Sequence, residues 1–333
     1  MEKILTVSVA AYQVENYIEE NLSSMISEYL VDKIEVFVVD DGGRDKTLEI
    51  AQKFKKKYPD CIHAVHKQNG GYGSVYNYVI EKASGKYFKL LDGDDWFNTK
   101  ELESLVAKLE KCDADVIAMN YCKGPSKEEL EPVIINENKD NYVVKLENFS
   151  SKLAIGMWAL AYKTELLKKS GMKLPEHMLY TDQIYSSVPF ATAKTICFFN
   201  DTVYCYRVGR DGQSVSRDSR IKHEEEMLSS TRFLIDFYEK QKKKGNPNCD
   251  YLANRISRYH VISLKTIMLS KITKENYRKL KSFDKTVAKK SKDIYNLSTD
   301  SGDSGKLISL LRKTNYNAYW LLKFIPGGLP NWE

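Results

Sequence analysis

No stretch of 18 or more apolar residues occurs in the 333-residue sequence, so nothing in it reads as a bilayer-spanning helix. There is no C-x-x-C pair. The six cysteines, Cys61, Cys112, Cys122, Cys197, Cys205 and Cys249, are scattered, which argues against a zinc site or a disulfide framework and for a reducing compartment. Five lie in or beside apolar segments, where a free thiol packs as a small hydrophobe. The opening MEKILTVSVAAY lacks the length and basic start of a signal peptide and reads as a β-strand; the expected location is the cytoplasm. There is no internal repeat. Lysine and arginine exceed aspartate and glutamate by only six, 51 against 45. Short basic runs (Lys55-Lys56-Lys57, Lys242-Lys243-Lys244, Lys289-Lys290) come without a nucleic-acid-binding motif, so no nucleic-acid partner is expected. A solvated helix face accounts for the first run; the later ones also suit an anionic membrane surface or a polyanionic product.

What the sequence does contain is regular alternation over its first 120 residues. Ile4–Val9 is β-rich and leads into Asn16–Leu30, where Ile18, Leu22, Met25, Ile26 and Tyr29 fall at helical spacing. Ile34–Val39 reads as a strand buried on both faces, ending at DDGGRDKT, whose Asp45 caps a helix over Lys46–Lys57. Cys61–His66 is a third strand, Asn69–Gly73 a loop and Ser74–Ala83 a helix. KYFKLL, a helix at Glu101–Lys111 and a strand at Asp115–Tyr121 follow. Such alternation predicts an α/β fold with a mostly parallel, helix-covered sheet, and ligands on such sheets bind beyond the carboxyl ends of the strands. Asp40-Asp41 and Asp92–Asp95 fall there. Residues 125–220 are less regular, with strand-like YVVKL, TICFFN and TVYCYRV, a helix near Lys163–Lys169 and a loop at Gly209–Ser216. From about Ile221 the pattern is helical and basic, closing with an amphipathic helix over Leu307–Ile325. The expected organisation is a 1–220 domain followed by a helical region, 221–333.

The sequence KLLDGDDWF ends an apolar strand on three carboxylates, Asp92, Asp94 and Asp95. Packed anions raise one another's pKa unless a counter-charge arrives. An EF-hand is excluded, because Trp96 and Phe97 occupy the fifth and sixth loop positions. A phosphatase-type nucleophile pair would follow the first strand, which here ends in AAYQ. A divalent metal shared with substrate phosphates and an acidic helix start after Trp96 remain, and taken alone they carry equal weight.

In order, SVAAYQVENYIEENLSSM, IEVFVVDDGGRDKTLEIA, NGGYGSVYNYVIEKASGKYFKLLDGDDWF and LYTDQIY closely resemble the family 2 glycosyltransferases. The resemblance covers about Ile4–Ser216 and is strongest up to Phe97. It implies a GT-A fold and inverting transfer of a sugar from a nucleotide-diphosphate donor, commonly UDP-linked, to an acceptor hydroxyl, in assembly of a surface polysaccharide or other glycan. It implies donor contacts from Ala11, Tyr12, Glu15 and Asp41, from the loop Asn69-Gly70 with Asn77, and from Asp92, Gly93, Asp94 and Arg210. By the same resemblance Asp94, with Asp92, holds Mg²⁺ or Mn²⁺, and Asp182 is the base that takes the acceptor proton. Asp182 also fits a helix N-cap ahead of QIYSSVPF.

The sequence departs from the family pattern at several points. Thr181 replaces the first acid of the usual Glu-Asp, Ala10 and Gln13 flank Ala11-Tyr12, Gly42-Gly43 follow the double aspartate, and Tyr76 stands where many relatives carry arginine. Gln213-Ser214 stand where others have histidine, which leaves Arg207 and Arg210 as sources of positive charge. Asn317–Gly328, NAYWLLKFIPGG, reads either as an interfacial helix on the inner membrane face, where lipid-linked acceptors reside, or as packing against the helical tail or a second subunit. A nucleotidyltransferase would also gather carboxylates and metal around a nucleoside phosphate, but its glycine-rich basic loop is absent from AAYQVENY. A non-catalytic nucleotide-sugar-binding or scaffold protein is the remaining alternative.

Overall fold

The structure, a computed structural model, describes residues 2–135, 140–149, 154–210 and 212–325. The chain divides into two compact units, Met1–Asn148 with Ile155–Arg210, and Phe149–Ala154 with Asp211–Glu333. The division comes at Arg210, ahead of the 220 read from the sequence.

The first unit is built on one mixed sheet. Its strands are β1 (Leu5–Ala11), β2 (Ile34–Asp41), β3 (Ile62–Lys67), β4 (Tyr87–Asp92), β5 (Trp96–Phe97), β6 (Val116–Gly124), β7 (Glu131–Val133), β8 (Tyr142–Lys145), β9 (Leu160–Lys163) and β10 (Thr195–Arg207). The order is β3-β2-β1-β4-β9-β6-β10-β5, with β7 on β6 and β8 on β10. The first four strands pair in parallel, as the alternation predicts. Parallel pairing is not kept throughout: β9 runs antiparallel to both β4 and β6, and β5, β7 and β8 also pair antiparallel. β9 is four residues, three of them fully buried, a run too short and uniformly apolar to carry a period. Because β6 runs parallel to β10 and β9 reverses direction twice over, β1, β2, β4, β6 and β10 all end at one edge.

Helices α1 (Ile18–Ser23), α2 (Leu30–Lys33), α3 (Thr47–Lys57), α4 (Tyr72–Lys82), α5 (Thr99–Lys111), α6 (Thr164–Ser170) and α7 (Asp182–Tyr185) connect these strands. The single helix read over Asn16–Leu30 is two. The Ser24 hydroxyl accepts from Phe97 N and its carbonyl from Thr99 Oγ1, so the groups that would continue α1 are spent on the turn after β4. The helix after Trp96 is capped by Asn98, which accepts from Glu101 N, and not by Asp94 or Asp95. TICFFN and TVYCYRV are one strand, β10, with a register shift after Phe199. Five of the six cysteines are buried, and all six are free thiols.

The second unit is helical: α8 (Arg217–Lys222), α9 (Glu224–Lys243), α10 (Cys249–Leu269), α11 (Lys274–Lys290), α12 (Lys292–Leu297) and α13 (Gly302–Lys313). The helix read over Leu307–Ile325 is interrupted. Asn315 and Tyr316 take left-handed conformations, φ 48° and 70°, and a 3₁₀ turn covers Asn317–Phe324. Tyr316 is bent inward there to donate to Asp284 Oδ2 at 2.7 Å. Residues 326–328 of the NAYWLLKFIPGG segment lie outside the described residues. Among the described residues, no helix is long and apolar enough to cross a membrane.

Candidate active site

The acidic turn lies where β4 leaves the sheet. Asp92 is in register with Ala10 of β1, and the following Gly93 donates to the Ala10 carbonyl at 3.0 Å. A Cβ at Gly93 would come within 2.8 Å of that carbonyl oxygen, so glycine is the residue that lets this exit lie flat on the end of β1. Asn21 reaches across from α1 and donates from Nδ2 to the carbonyls of Asp92 (2.9 Å) and Asp95 (2.8 Å). The turn is thereby held by backbone groups, leaving its three carboxylates to differ.

They differ sharply. Asp95 is 1% exposed; its Oδ2 accepts from Tyr204 Oη at 2.6 Å and its Oδ1 from the Arg207 amide at 2.8 Å. Burial first, then the charges of Asp92 and Asp94, push its carboxyl well above the usual carboxylate range. Asp94 Oδ2 takes both Nε and Nη2 of Arg210. Asp92 receives a hydrogen bond from Tyr72 and is pushed up to about 8, mostly by burial, then by the carboxylates of Asp94 and Asp182. The structure therefore brings Asp92, Asp94, Asp182 and Arg210 into one electrostatic neighbourhood. Asp182 opens α7, after two residues with positive φ, His177 (53°) and Tyr180 (60°). Such turns cluster at functional sites, where surrounding structure holds them.

The remaining expected donor contacts form a second group along β1 and β2. Ala11 is buried at the end of β1, while Tyr12 projects with 52% of its surface exposed. The Glu15 amide donates to Asp45 Oδ2 at 3.0 Å, and Glu15 Oε2 accepts from Lys46 N at 2.9 Å, so this pair clamps the β1 exit to the start of α3. Asp45 lies one residue ahead of the observed N-cap, Lys46, and still accepts from Thr47 N at 3.1 Å. The Asp41 carboxylate, 4% exposed, accepts from Lys67 Nζ (2.7 Å), Gly70 N (3.0 Å) and Gly71 N (2.7 Å). Asn69 Nδ2 donates to the Asp41 carbonyl at 2.7 Å. Asp41 thus shapes the loop Asn69–Gly73 in this structure. Asn77 is likewise occupied by protein: its Nδ2 donates to the Leu174 carbonyl and its Oδ1 accepts from the Leu174 amide, each at 2.9 Å. A Cβ at Gly73 would lie 2.0 Å from the Pro175 carbonyl oxygen. Together Asn77 and Gly73 fasten the segment that leads into Asp182.

Tyr204 and Lys89 carry no signal in the sequence, while Arg207 is read there only as a source of positive charge. Tyr204, from β10, bridges Asp95 and the Asp92 amide (3.1 Å). The Arg207 guanidinium lies between the rings of Tyr17 (5.0 Å) and Trp96 (4.6 Å), donates from Nε to the Asp94 carbonyl at 3.0 Å and pairs with Glu20. Lys89, fully buried, donates to the Trp158 and Leu160 carbonyls at 2.7 and 3.1 Å, and burial lowers it to about 7. Among the described residues, no three His, Cys, Asp or Glu side chains converge as a metal cluster.

Comparison with known proteins bears on the family and the fold. The model of glycosyl transferase family 2 matches residues 6–169. EpsJ of Bacillus subtilis, an uncharacterized glycosyltransferase, is 26% identical over 214 residues, 62% of this chain and 62% of EpsJ. TarS of Staphylococcus aureus, a poly(ribitol-phosphate) β-N-acetylglucosaminyltransferase, is 27% identical over 213 residues, 63% of this chain and 36% of TarS. The chain thus spans less than two thirds of the length of these curated relatives. The crystal structure of S. aureus TarS 1–349 in complex with UDP-GlcNAc is similar with a TM-score of 0.62 at 20% identity, covering 94% of this chain and 92% of that one. The match over residues 6–169 and these likenesses support a family 2 glycosyltransferase. Its fold is GT-A followed by a helical region.

Proposed function

We propose that this chain transfers a sugar from a UDP-linked donor to an acceptor hydroxyl, with inversion, in assembly of a cell-surface glycan. The observation that carries the reading is the position of Asp92 and Asp94 at β4's carboxyl end with Arg210 on Asp94, Asp182 being among the charges that raise Asp92. In the transfer step the acceptor oxygen attacks the anomeric carbon as its bond to the diphosphate breaks. Asp182 takes the acceptor proton, and the nucleoside diphosphate leaves with the electron pair. Attack opposite the leaving group inverts the centre. A positioned base of this kind contributes about 10²–10⁴-fold.

Tyr12, exposed beside Ala11, supplies a ring on which a nucleobase stacks. Asp41 supports that pocket by fixing the loop Asn69–Gly73, and Glu15 by fixing the β1 exit. Asp92 and Asp94 suit Mg²⁺ or Mn²⁺: two carboxylates crowded by a third, with phosphate oxygens left to complete the shell, is the coordination Mg²⁺ commonly takes. A cation there supplies positive charge toward the leaving diphosphate. Arg210 already compensates Asp94 and is the protein's own cation at this point. The UDP-GlcNAc complex of TarS supports a uridine donor, and the activity in TarS's name supports a surface-polymer acceptor.

The test is a panel of nucleotide sugars, each with and without Mg²⁺ or Mn²⁺, read first as thermal stabilisation and then as donor turnover. A ligand that binds only the folded chain raises its melting temperature. A UDP-sugar that stabilises and is turned over supports the reading. Stabilisation with no turnover under any acceptor supports a binding protein, and preference for a nucleoside triphosphate supports nucleotidyl transfer.

A further inference from the structure

The second unit presents a surface that the transfer chemistry leaves unused. Along α11, Lys274, Arg278, Lys281, Lys285 and Lys289 recur at steps of three and four residues, which puts them on one face over about 22 Å of helix. Other bases of this helix are compensated: Lys279 pairs with Glu224 and Lys290 with Asp236. The five on the stripe make no such pair among the described residues. The helix holds two acids, Glu275 and Asp284, and Asp284 is buried against Arg312. Like charges one turn apart destabilise a helix, and among the described residues no carboxylate pairs with the five to offset that cost.

An apolar edge adjoins the stripe. The ring of Tyr277, on α11, stacks on Trp320 at 5.5 Å and 23°. Lys281 lies 5.7 Å from the rings of both Tyr277 and Tyr316, and Lys323 lies 5.0 Å over Trp320. The 3₁₀ turn that carries Trp320 exposes Leu321 (60%) and Phe324 (81%). These features correspond to the layers of a bilayer surface. Exposed leucine and phenylalanine suit the acyl boundary, tyrosine and tryptophan suit the headgroup level, and lysine stems lie along apolar surface with their charge among phosphates. A soluble polyanion would satisfy the stripe but offer Leu321 and Phe324 nothing.

We infer that α11 and the turn Asn317–Phe324 form a docking surface for an anionic lipid bilayer. The full chain is sedimented with phosphatidylcholine vesicles, with and without phosphatidylglycerol, across a salt series. Binding is expected only with phosphatidylglycerol and weakens as salt screens the stripe. Lys274→Ser and Lys285→Ser each lower binding about fivefold. Leu321→Ser with Phe324→Ser lowers it at least about tenfold without changing the melting temperature, since both side chains are exposed. Any donor turnover measured without vesicles is unchanged in all variants, so this test stands apart from the transfer reading. The proposal is overturned if vesicles are not bound, if the Leu321 and Phe324 changes leave vesicle binding intact, or if inorganic polyphosphate binds while vesicles do not.

Discussion

Arg210 grips a single oxygen of Asp94, with Nε at 2.9 Å and Nη2 at 2.8 Å from Oδ2. Part of the counter-charge that the acidic turn demands is therefore an arginine of the same chain. If Arg210 also faces the diphosphate of a donor, Arg210→Ala weakens donor use at least about tenfold while Mg²⁺ or Mn²⁺ still stabilises the chain, because Asp94 is then released to the metal. Steady-state kinetics and a metal titration followed by thermal shift check both parts; unchanged donor kinetics would remove Arg210 from the site.

Asp182→Asn keeps the size of the side chain and removes its basicity. Turnover is expected to fall about 10²–10⁴-fold, with donor-induced stabilisation preserved. Equal rates in variant and wild type would leave Asp182 as the first residue of α7 and nothing more.

Tyr204→Phe deletes one hydroxyl that serves two partners. Asp95, buried, loses its 2.6 Å donor, and the Asp92 amide loses its 3.1 Å acceptor. Stranding a buried acceptor costs about 1–3 kcal/mol, measurable by denaturant unfolding. Turnover falls as well, because the turn carrying Asp92 and Asp94 loses its tie to β10.

The second unit depends on a buried charge cluster. Asp284 accepts from Arg312 Nε and Nη2 at 2.8 Å each and from Tyr316 at 2.7 Å, beside the buried His260. Burial pushes the Asp284 carboxyl up, but the hydrogen bonds from Arg312 and the nearby His260 ring outweigh it and hold it below the ordinary 3.8. Burial lowers His260 below its ordinary 6.5. Each group binds fewer protons folded than unfolded, so each contributes stability that is lost on acidification, His260 below about 6.5 and Asp284 below about 3.8. Asp284→Asn is expected to cost about 3–5 kcal/mol at neutral pH by leaving Arg312 buried without its carboxylate, and to flatten the acid limb of the stability curve. Thermal unfolding across a pH series reads both.

Legibility in the sequence followed the kind of contact. β1 to β4 and their helices were readable because apolar runs, turn glycines and capping acids lie within a few residues of one another. So was Asp45, whose bond from Thr47 N is local. The break between α1 and α2 was not, since its cause is Phe97 and Thr99, more than 70 residues away. Tyr204 and Asn21 escaped notice for the same reason: each serves the acidic turn from a distant element, and an isolated tyrosine or asparagine has no periodicity. Asp41 and Asn77 were legible through the family resemblance, at the end of β2 and within α4. Their observed partners are backbone groups of the loop and of Leu174, which no local pattern announces.

The four-residue strand β9 has a further consequence. As a single reversed ribbon between β4 and β6, it spaces the ends of those two strands by two hydrogen-bonding steps, roughly 10 Å, about the width of a sugar ring with its hydroxyls. The residues feeding it, Met157–Ala159, form a 3₁₀ turn and share no ladder with β1, β2 or β3. Substitutions in that short segment can therefore accumulate without disturbing the pairing of the three strands on the far side of β4.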